Sequence, residues 1–261
     1  MSSFHIATNY LLYRLRAFKL HGVHSPFIFG LYNTVIRHDG LFPAYKRVET
    51  LRKKLQQDNR PLQVTDFGAG SRLAQQRSRS IKDIARTSAK PAKDGQLLFR
   101  LVNHFQPQTI VELGTSLGLT TAYLAEARRQ GQVYTFEGCP NIAQEAQKNF
   151  QKLGLKNIRL IQGNLDDTLS ALLQQIQQLD FVFFDGNHRY APTMRYFEAC
   201  LQKHHADSVF VLDDIYWSAE MKRAWQDIKR HPQVRQTVDL FSVGLVFFRT
   251  TQLKEDFTLA F

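Results

Sequence analysis

The spacing of the apolar residues along this chain changes near residue 94. Before that point, apolar residues recur at helical spacing and are interrupted by glycine and proline. We predict a first helix whose apolar face is Ile6, Tyr10, Tyr13 and Ala17, and two further helices over 27–36 and 45–57. Pro26 separates the first two, because proline cannot continue a helix. Residues 1–93 are therefore expected to form a mainly helical extension.

From residue 94 onwards, strand-like and helix-like segments alternate, which is typical of an α/β fold. Short apolar runs predict strands at 109–113, 133–136, 158–161, 180–184 and 209–212. One-sided apolar faces predict helices at 95–105, 119–129, 141–153, 169–179, 192–203 and 218–230. Two final strands, 234–241 and 243–250, are joined by a short turn and can pair as an antiparallel hairpin. Residues 94–261 are thus expected to form a Rossmann-like, doubly wound sheet of seven strands, with one reversed edge strand.

The most informative chemical pattern is the segment 109–118, TIVELGTSLG. Its apolar run ends in Glu112, and Gly114 and Gly118 then allow a tight turn that aims backbone amides at one point. A carboxylate at Glu112 repels phosphate, and the middle glycine of the dinucleotide-binding G-x-G-x-x-G pattern is missing. We therefore predict S-adenosylmethionine, which carries a sulfonium and an amino group, as the ligand. Ser116 and the amides beside it are expected to hold its carboxylate.

Two further polar residues at strand ends fit an adenosine-type ligand. Glu137 ends the second core strand, where an acid can accept both ribose hydroxyls. Asn164 follows the third strand and either bonds an adenine edge or caps the next helix. A second acid–glycine pattern lies in 62–71, LQVTDFGAGS, but no amphipathic helix follows it. We expect a structured loop there.

Three aspartates follow the fourth and fifth core strands. Asp185 lies in FVFFDGNHRY, and Asp213 and Asp214 lie in VFVLDDIYW. Because the carboxyl ends of parallel strands meet at one edge, we expect the three to converge near the sulfonium, with Asp185 also among the cofactor contacts. Such oxygen ligands suit Mg²⁺ or Ca²⁺, although a single acid can equally cap backbone or pair with arginine. His188 is the candidate base, because the ordinary pKa of histidine, about 6.5, allows it to take a proton from a hydroxyl at neutral pH.

Composition limits the class of protein and its cellular location but does not determine the function. The 261 residues are 43% hydrophobic, contain two cysteines and carry a net charge of +11. No apolar run approaches the roughly 20 residues of a membrane span, and no signal peptide is recognised, so we expect a cytoplasmic protein. The positive charge favours acidic partners such as RNA or a CoA-linked substrate. Segment 71–93 contains seven Lys/Arg and one acid. It forms either a surface loop with solvated charges or a site that binds an anion.

Residues 94–219 resemble the cation-dependent O-methyltransferases of the catechol and caffeoyl-CoA types, within the class I S-adenosylmethionine-dependent fold. The resemblance rests on DGQLLFRLV (94–102), VELGTSLGLTT (111–121), FVFFDGNHRY (181–190) and VLDDIYW (211–217). It implies that the methionine part of the cofactor is contacted by Glu112, Gly114 and Ser116. It also implies that Glu137 binds the ribose and that the metal ligands are Asp185, Asp213 and Asp214.

Two positions depart from this family. His188 stands where catechol-type members carry a catalytic lysine, and Asp214 stands where the third metal ligand is normally asparagine. Three carboxylates around a divalent ion leave a net negative site. One of them would then be protonated or bonded elsewhere, or the metal would be absent.

Three functions are consistent with these patterns. The first is methyl transfer to a hydroxyl of a small-molecule acceptor, with metal assistance. The second is methylation of RNA, suggested by the positive charge, and the third is a non-catalytic S-adenosylmethionine-binding protein. A nicotinamide oxidoreductase ranks behind these because of the missing glycine. Residues 1–93 are expected to shape the acceptor pocket or a homodimer contact.

Overall fold

The computed structural model describes residues 3–17, 24–65 and 76–261. The chain divides into two compact units: unit 1 combines Met1–His38 with Gln178–Phe261, and unit 2 is Asp39–Gln177. Neither boundary falls at residue 94, where the sequence pattern changes. Among the described residues, no helix is both long enough and apolar enough to cross a membrane.

Unit 2 carries the first three strands of the main sheet and the helices around them. Its helices are α3 (Pro43–Leu55), α4 (Ile81–Thr87), α5 (Ala92–Phe105), α6 (Leu119–Ala127), α7 (Pro140–Leu153) and α8 (Leu165–Gln175). Its strands are β1 (Pro61–Thr65), β2 (Gln76–Ser80), β3 (Thr109–Leu113), β4 (Gln132–Glu137) and β5 (Ile158–Gln162). Strands β3, β4 and β5 pair in parallel, in that order, whereas β1 and β2 form a separate antiparallel pair.

Unit 1 is built from both ends of the chain. Its helices are α1 (Ser3–Arg16), α2 (Pro26–Leu31), a π-helical segment (Tyr32–Ile36), α9 (Tyr190–Leu201) and α10 (Ala219–Arg230). Its strands are β6 (Phe181–Phe184), β7 (Val209–Asp213), β8 (Gln236–Asp239), β9 (Val243–Phe247) and β10 (Glu255–Thr258). Their order is β10-β8-β9-β7-β6, and β9 runs antiparallel to both of its neighbours.

The α/β fold is confirmed, and the two strands expected near the C-terminus are observed as β8 and β9, which pair antiparallel, with corrections in detail. The main sheet has eight strands rather than seven, because β10 adds to β8. The reversed strand β9 lies between β7 and β8 instead of at an edge. The loop expected at 62–71 is wrong for residues 62–65, which belong to β1, and residues 66–71 lie outside the described residues. The pairing partner of β1 follows more than ten residues later, so no local pattern reveals it.

The two ends of the chain are joined through a buried tyrosine in unit 1. The Tyr13 hydroxyl donates to the Leu259 carbonyl at 2.6 Å and accepts from the Phe261 amide at 3.2 Å. Tyr32 donates to the Ala260 carbonyl at 3.0 Å. Burial raises the pKa of Tyr13 to about 12, because the phenolate would lose its hydration. Helix α1 is thus anchored by Leu259 and Phe261, and the π-helical segment by Ala260.

Replacing Tyr13 with phenylalanine is expected to lower the free energy of unfolding by about 1–2 kcal/mol, because two backbone groups lose their partner. Tyr10→Phe is the matched control, since that ring lies on the same helix and is 47% exposed. A raised phenol pKa gives stability that is complete below the unfolded pKa, about 10, and is lost as the pH rises through the folded pKa. Urea unfolding at neutral pH and between about pH 10 and 12 measures both effects. Equal stability of the two variants at neutral pH would contradict this role.

Candidate functional site

The glycine turn of unit 2 has an unusual backbone. After β3, three residues adopt positive φ angles: Gly114 at 120°, Ser116 at 48° and Gly118 at 79°. The Gly118 amide donates to the Thr115 carbonyl at 2.9 Å, and α6 begins at the next residue. The amides of Thr115, Ser116 and Gly118 are already bonded within the protein, to Phe136, Glu137 and Thr115. A helix N-terminus offers further amides to an anion, so the contact with a ligand carboxylate stays a prediction.

Glu137, at the end of β4, is fixed beside this turn. Its carboxylate accepts the amide hydrogen of Ser116 at 2.9 Å and that of Cys139 at 2.9 Å. Both are charge-assisted hydrogen bonds, which are stronger than neutral ones. Glu137 thereby ties the turn to the loop that leads into α7. It is partly exposed, as a group that is to accept ribose hydroxyls must be.

Glu112 lies beneath the turn rather than at its surface, with no exposed area. Its carboxylate accepts the hydroxyl of Thr135 at 2.6 Å and also the hydroxyl of Thr121. The hydroxyls of Thr115 and Thr135 are 2.6 Å apart. Three threonines from the turn, β4 and α6 are thus gathered around one acid. The predicted contact of Glu112 with the methionine part of a ligand stays a prediction, whereas its role in fixing the turn is visible.

These threonines were not predicted as site residues. Thr135 lies directly opposite Glu112 in the β3–β4 register. That register was the available signal, because a polar residue inside an otherwise apolar strand needs a partner when it is buried. The sequence identified the acid and the turn but not the hydroxyls that orient them.

Asn164 caps α8 in this structure. Its side chain accepts the amide hydrogen of Asp166 at 3.1 Å, which is the N-cap arrangement. The capping alternative weighed from the sequence is therefore realised. The adenine contact remains a prediction, and the partial exposure of Asn164 leaves its amide group open to it.

In unit 1, Asp185 follows β6 and Asp213 ends β7, and the structure brings them together with His188. One ligand atom from each of the three lies within 4.8 Å of the others. His188 Nε2 is 3.5 Å from Asp185 Oδ1. Asp213 is fully buried, whereas the other two side chains are partly exposed. The predicted convergence of carboxylates at the strand ends is thus observed for Asp185 and Asp213.

Asp214, the third predicted ligand, is not part of this group. Its backbone is left-handed, with φ at 51°. Its amide donates to the Ser242 carbonyl at 2.8 Å, and its carbonyl accepts from the Trp217 amide at 2.8 Å. Asp214 therefore forms a turn immediately after β7, where the strand geometry that orients Asp213 has ended.

Residues 111–215 match the family model described as a methyltransferase domain. The matched segment includes the glycine turn, Glu137 and the three clustered residues Asp185, His188 and Asp213. Residues 111–215 are therefore similar to a methyltransferase domain, and the chain shares its fold with solved O-methyltransferases, as the sequence resemblance implied.

Two relatives of this chain are named catechol O-methyltransferase. A catechol O-methyltransferase from Niastella koreensis is 30% identical over 124 residues, which cover 46% of this chain and 55% of that protein. One from Mycobacterium tuberculosis is 30% identical over 129 residues, covering 49% and 57%. The chain thus spans little more than half the length of these relatives. A solved O-methyltransferase from Bacillus cereus, in complex with S-adenosylhomocysteine, shares the fold with a TM-score of 0.57 at 16% identity, over 84% of this chain and 95% of that one.

Proposed function

We propose that the protein transfers the methyl group of S-adenosylmethionine to a hydroxyl of a small-molecule acceptor. The observation that carries this proposal is the turn at residues 114–118, which is held by the Glu137 carboxylate within a matched methyltransferase domain. The N-terminus of α6, which follows the turn, offers amides for a carboxylate, and Glu137 offers oxygens for a ribose. The relatives named catechol O-methyltransferase favour oxygen as the methyl acceptor.

The reaction breaks the bond between sulfur and the methyl carbon and forms a bond between that carbon and the acceptor oxygen. The hydroxyl proton leaves, and S-adenosylhomocysteine and a methyl ether remain. The domain supplies position above all, because an in-line transfer depends on the alignment of three atoms. Glu137 and the amides at the N-terminus of α6 hold the donor by the ends that do not react.

The acidic group of unit 1 supports metal assistance as part of this proposal. Two carboxylates and an imidazole are ligand types that divalent cations accept, so Asp185, Asp213 and His188 fit such an ion. A divalent cation bound there would hold the acceptor oxygen and lower the pKa of its hydroxyl. Two carboxylates beside a hydroxyl raise its pKa, because its ionisation would add a further negative charge. A bound divalent cation would offset the charge of the carboxylates, which is the reason for expecting the ion.

Two predictions made from the sequence belong to this proposal at a finer level, and a third competes with it. The competing prediction is a nucleic-acid acceptor, which the net charge of +11 supports. A dimer contact is supported by the exposed apolar side chains of α1, namely Leu11, Leu12 and Leu15. A cytoplasmic location is supported by the two cysteines, which are both free and buried.

Asp185→Ala is expected to reduce methyl transfer roughly 100-fold, because it removes a group at the reacting end of the acceptor. The assay measures the methyl ether formed from S-adenosylmethionine and a panel of catechol-type acceptors. Asp180→Ala is the control, since Asp180 also pairs with a histidine of unit 1, His205, at 2.8 Å, and is expected to retain activity.

Calorimetric titration of S-adenosylmethionine and of NAD against the protein separates the competing functions. We expect S-adenosylmethionine to bind and NAD not to bind. Tight NAD binding would overturn the proposal. Turnover confined to RNA would support the nucleic-acid alternative, and cofactor binding without turnover on any acceptor would support a non-catalytic protein.

A further inference from the structure

We propose that His188 is the third protein ligand of the metal site, in place of Asp214, and that the site prefers a first-row transition metal ion to Mg²⁺ or Ca²⁺. This inference deepens the proposed function and rests on it for the use of the ion in catalysis. The binding of the ion is a separate property of unit 1. It can therefore be tested without turnover.

The spacing of the three side chains is close to that of a metal centre. Two ligand atoms about 2.1 Å from one tetrahedral ion are about 3.4 Å apart and cannot be separated by more than about 4.2 Å. His188 Nε2 and Asp185 Oδ1 already meet the tetrahedral value, at 3.5 Å. The whole group lies within 4.8 Å, so its widest pair needs to close by at most about 1.4 Å to reach the tetrahedral value. Asp185 and His188 are partly exposed and can make this adjustment.

The backbone around Asp214 explains why it is not a member. Both its amide and its carbonyl are used in the turn that follows β7, through Ser242 and Trp217. Its φ of 51° is a conformation that side chains other than glycine, asparagine and aspartate rarely adopt. Asparagine and aspartate tolerate this conformation because their short polar side chains bond locally. An aspartate here is therefore explained by the turn and needs no metal.

Charge favours the same assignment. Two carboxylates neutralise a divalent ion, and a neutral imidazole adds a ligand without adding charge. A third carboxylate would leave the site at −1, next to Asp213, which has no exposed area. Uncompensated charge at a buried position is destabilising, and a histidine ligand avoids that penalty. The difficulty raised by three aspartates in the sequence is removed when His188 replaces Asp214.

The nitrogen ligand determines the kind of ion. Mg²⁺ and Ca²⁺ are bound almost wholly by oxygen, whereas imidazole suits zinc, iron, cobalt and nickel. A histidine whose Nε2 binds an ion cannot accept a proton at that atom. The acceptor hydroxyl would then lose its proton to solvent, and His188 would hold the ion rather than act as the base.

Isothermal titration of the full chain with Co²⁺ and with Mg²⁺ tests the assignment. We expect Co²⁺ to bind at least tenfold more tightly than Mg²⁺, and His188→Gln to weaken Co²⁺ binding roughly 100-fold. Asp214→Asn is expected to leave Co²⁺ affinity within about threefold of the wild type. His205→Gln is the matched control, because it removes another histidine that lies beside an aspartate of the same unit.

A second measurement uses the unaltered protein, so it does not depend on the folding of a variant. Electron spin echo modulation of bound Mn²⁺ is expected to show coupling to an imidazole nitrogen. Absence of that coupling, unchanged Co²⁺ affinity in His188→Gln, or a large loss in Asp214→Asn would each overturn the inference, as would a wild-type protein that binds neither ion. Titration of S-adenosylmethionine into His188→Gln distinguishes the two proposals, because lost metal binding with retained cofactor binding leaves the methyltransferase assignment intact.

Discussion

Replacing Gly118 with alanine is expected to destabilise the protein by about 2–4 kcal/mol and to weaken S-adenosylmethionine binding at least tenfold. Two effects add. A β-carbon in the left-handed conformation at φ 79° costs about 1–2 kcal/mol. The same carbon would overlap the Phe150 ring and lie 2.7 Å from its Cζ atom. Phe150 is buried in α7 and cannot rotate away, so the turn itself has to move.

Gly154→Ala is the matched control for this substitution. Gly154 has a similar left-handed φ of 67° and ends α7, but an added β-carbon there meets no atom within 4 Å. Its cost should be limited to the conformational part, about 1 kcal/mol, with cofactor affinity unchanged. Urea unfolding and calorimetric titration of both variants give the comparison. If the two variants proved equally stable, the close approach of Gly118 to Phe150 would not be a constraint on the turn.

Replacing Glu137 with glutamine is expected to weaken S-adenosylmethionine binding roughly 100-fold, because hydrogen bonds to a charged group contribute about 1.5–3 kcal/mol each. The substitution removes the negative charge that holds the Ser116 and Cys139 amides. It also turns one acceptor oxygen into a donor group, which suits neither an amide hydrogen nor two ribose hydroxyls. The turn loosens and the ribose loses its partner at the same time.

Glu145→Gln serves as the control for Glu137→Gln. It removes a buried carboxylate of the same unit, bonded to Lys148 at 2.7 Å and to Arg60 at 3.3 Å, from α7 rather than from the turn. We expect its cofactor affinity to stay within about threefold of the wild type. Affinity of Glu137→Gln within the same range would show that the carboxylate does not contact the ribose.

The cofactor turn could be predicted from the sequence because its determinants are local. An apolar run, two glycines and a helical pattern follow one another within 109–129. The structure shows β3 at the predicted residues and α6 beginning after the left-handed Gly118. Gly154 likewise ends α7 as predicted, since a glycine at this position relieves a local strain.

Pairings between distant segments were not predictable in the same way. Strand β10 was missed because three of its four residues, Glu255–Thr258, are polar and gain strand structure only beside β8. Helix α1 shows the same limit: its spacing placed Tyr10 and Tyr13 on one face, but Tyr10 is 47% exposed and Asn9 is buried instead. Which face is covered depends on elements that come much later in the chain.

In the candidate site, some residues could be predicted from the sequence and others could not. The rule that strand ends meet at one edge identified Asp185 and Asp213. It also included Asp214, because the sequence does not reveal that the backbone becomes left-handed one residue after β7. His188 was identified, but as a base. Its proximity to two carboxylates, which favours a ligand role, depends on how residues 185–188 fold after β6.

The anchoring of α1 by the end of the chain has a consequence for biosynthesis. Tyr13 and its acceptor Leu259 are 246 positions apart, so a ribosome adding about 5–20 residues per second needs about 12–50 seconds between them. The continuous stretch Asp39–Gln177 is complete well before that, whereas the contacts of α1 with Lys222, Phe241 and Leu259 wait for much later segments. Helix α1 is thus among the last elements to find its native place, and during that interval its leucines are open to chaperones.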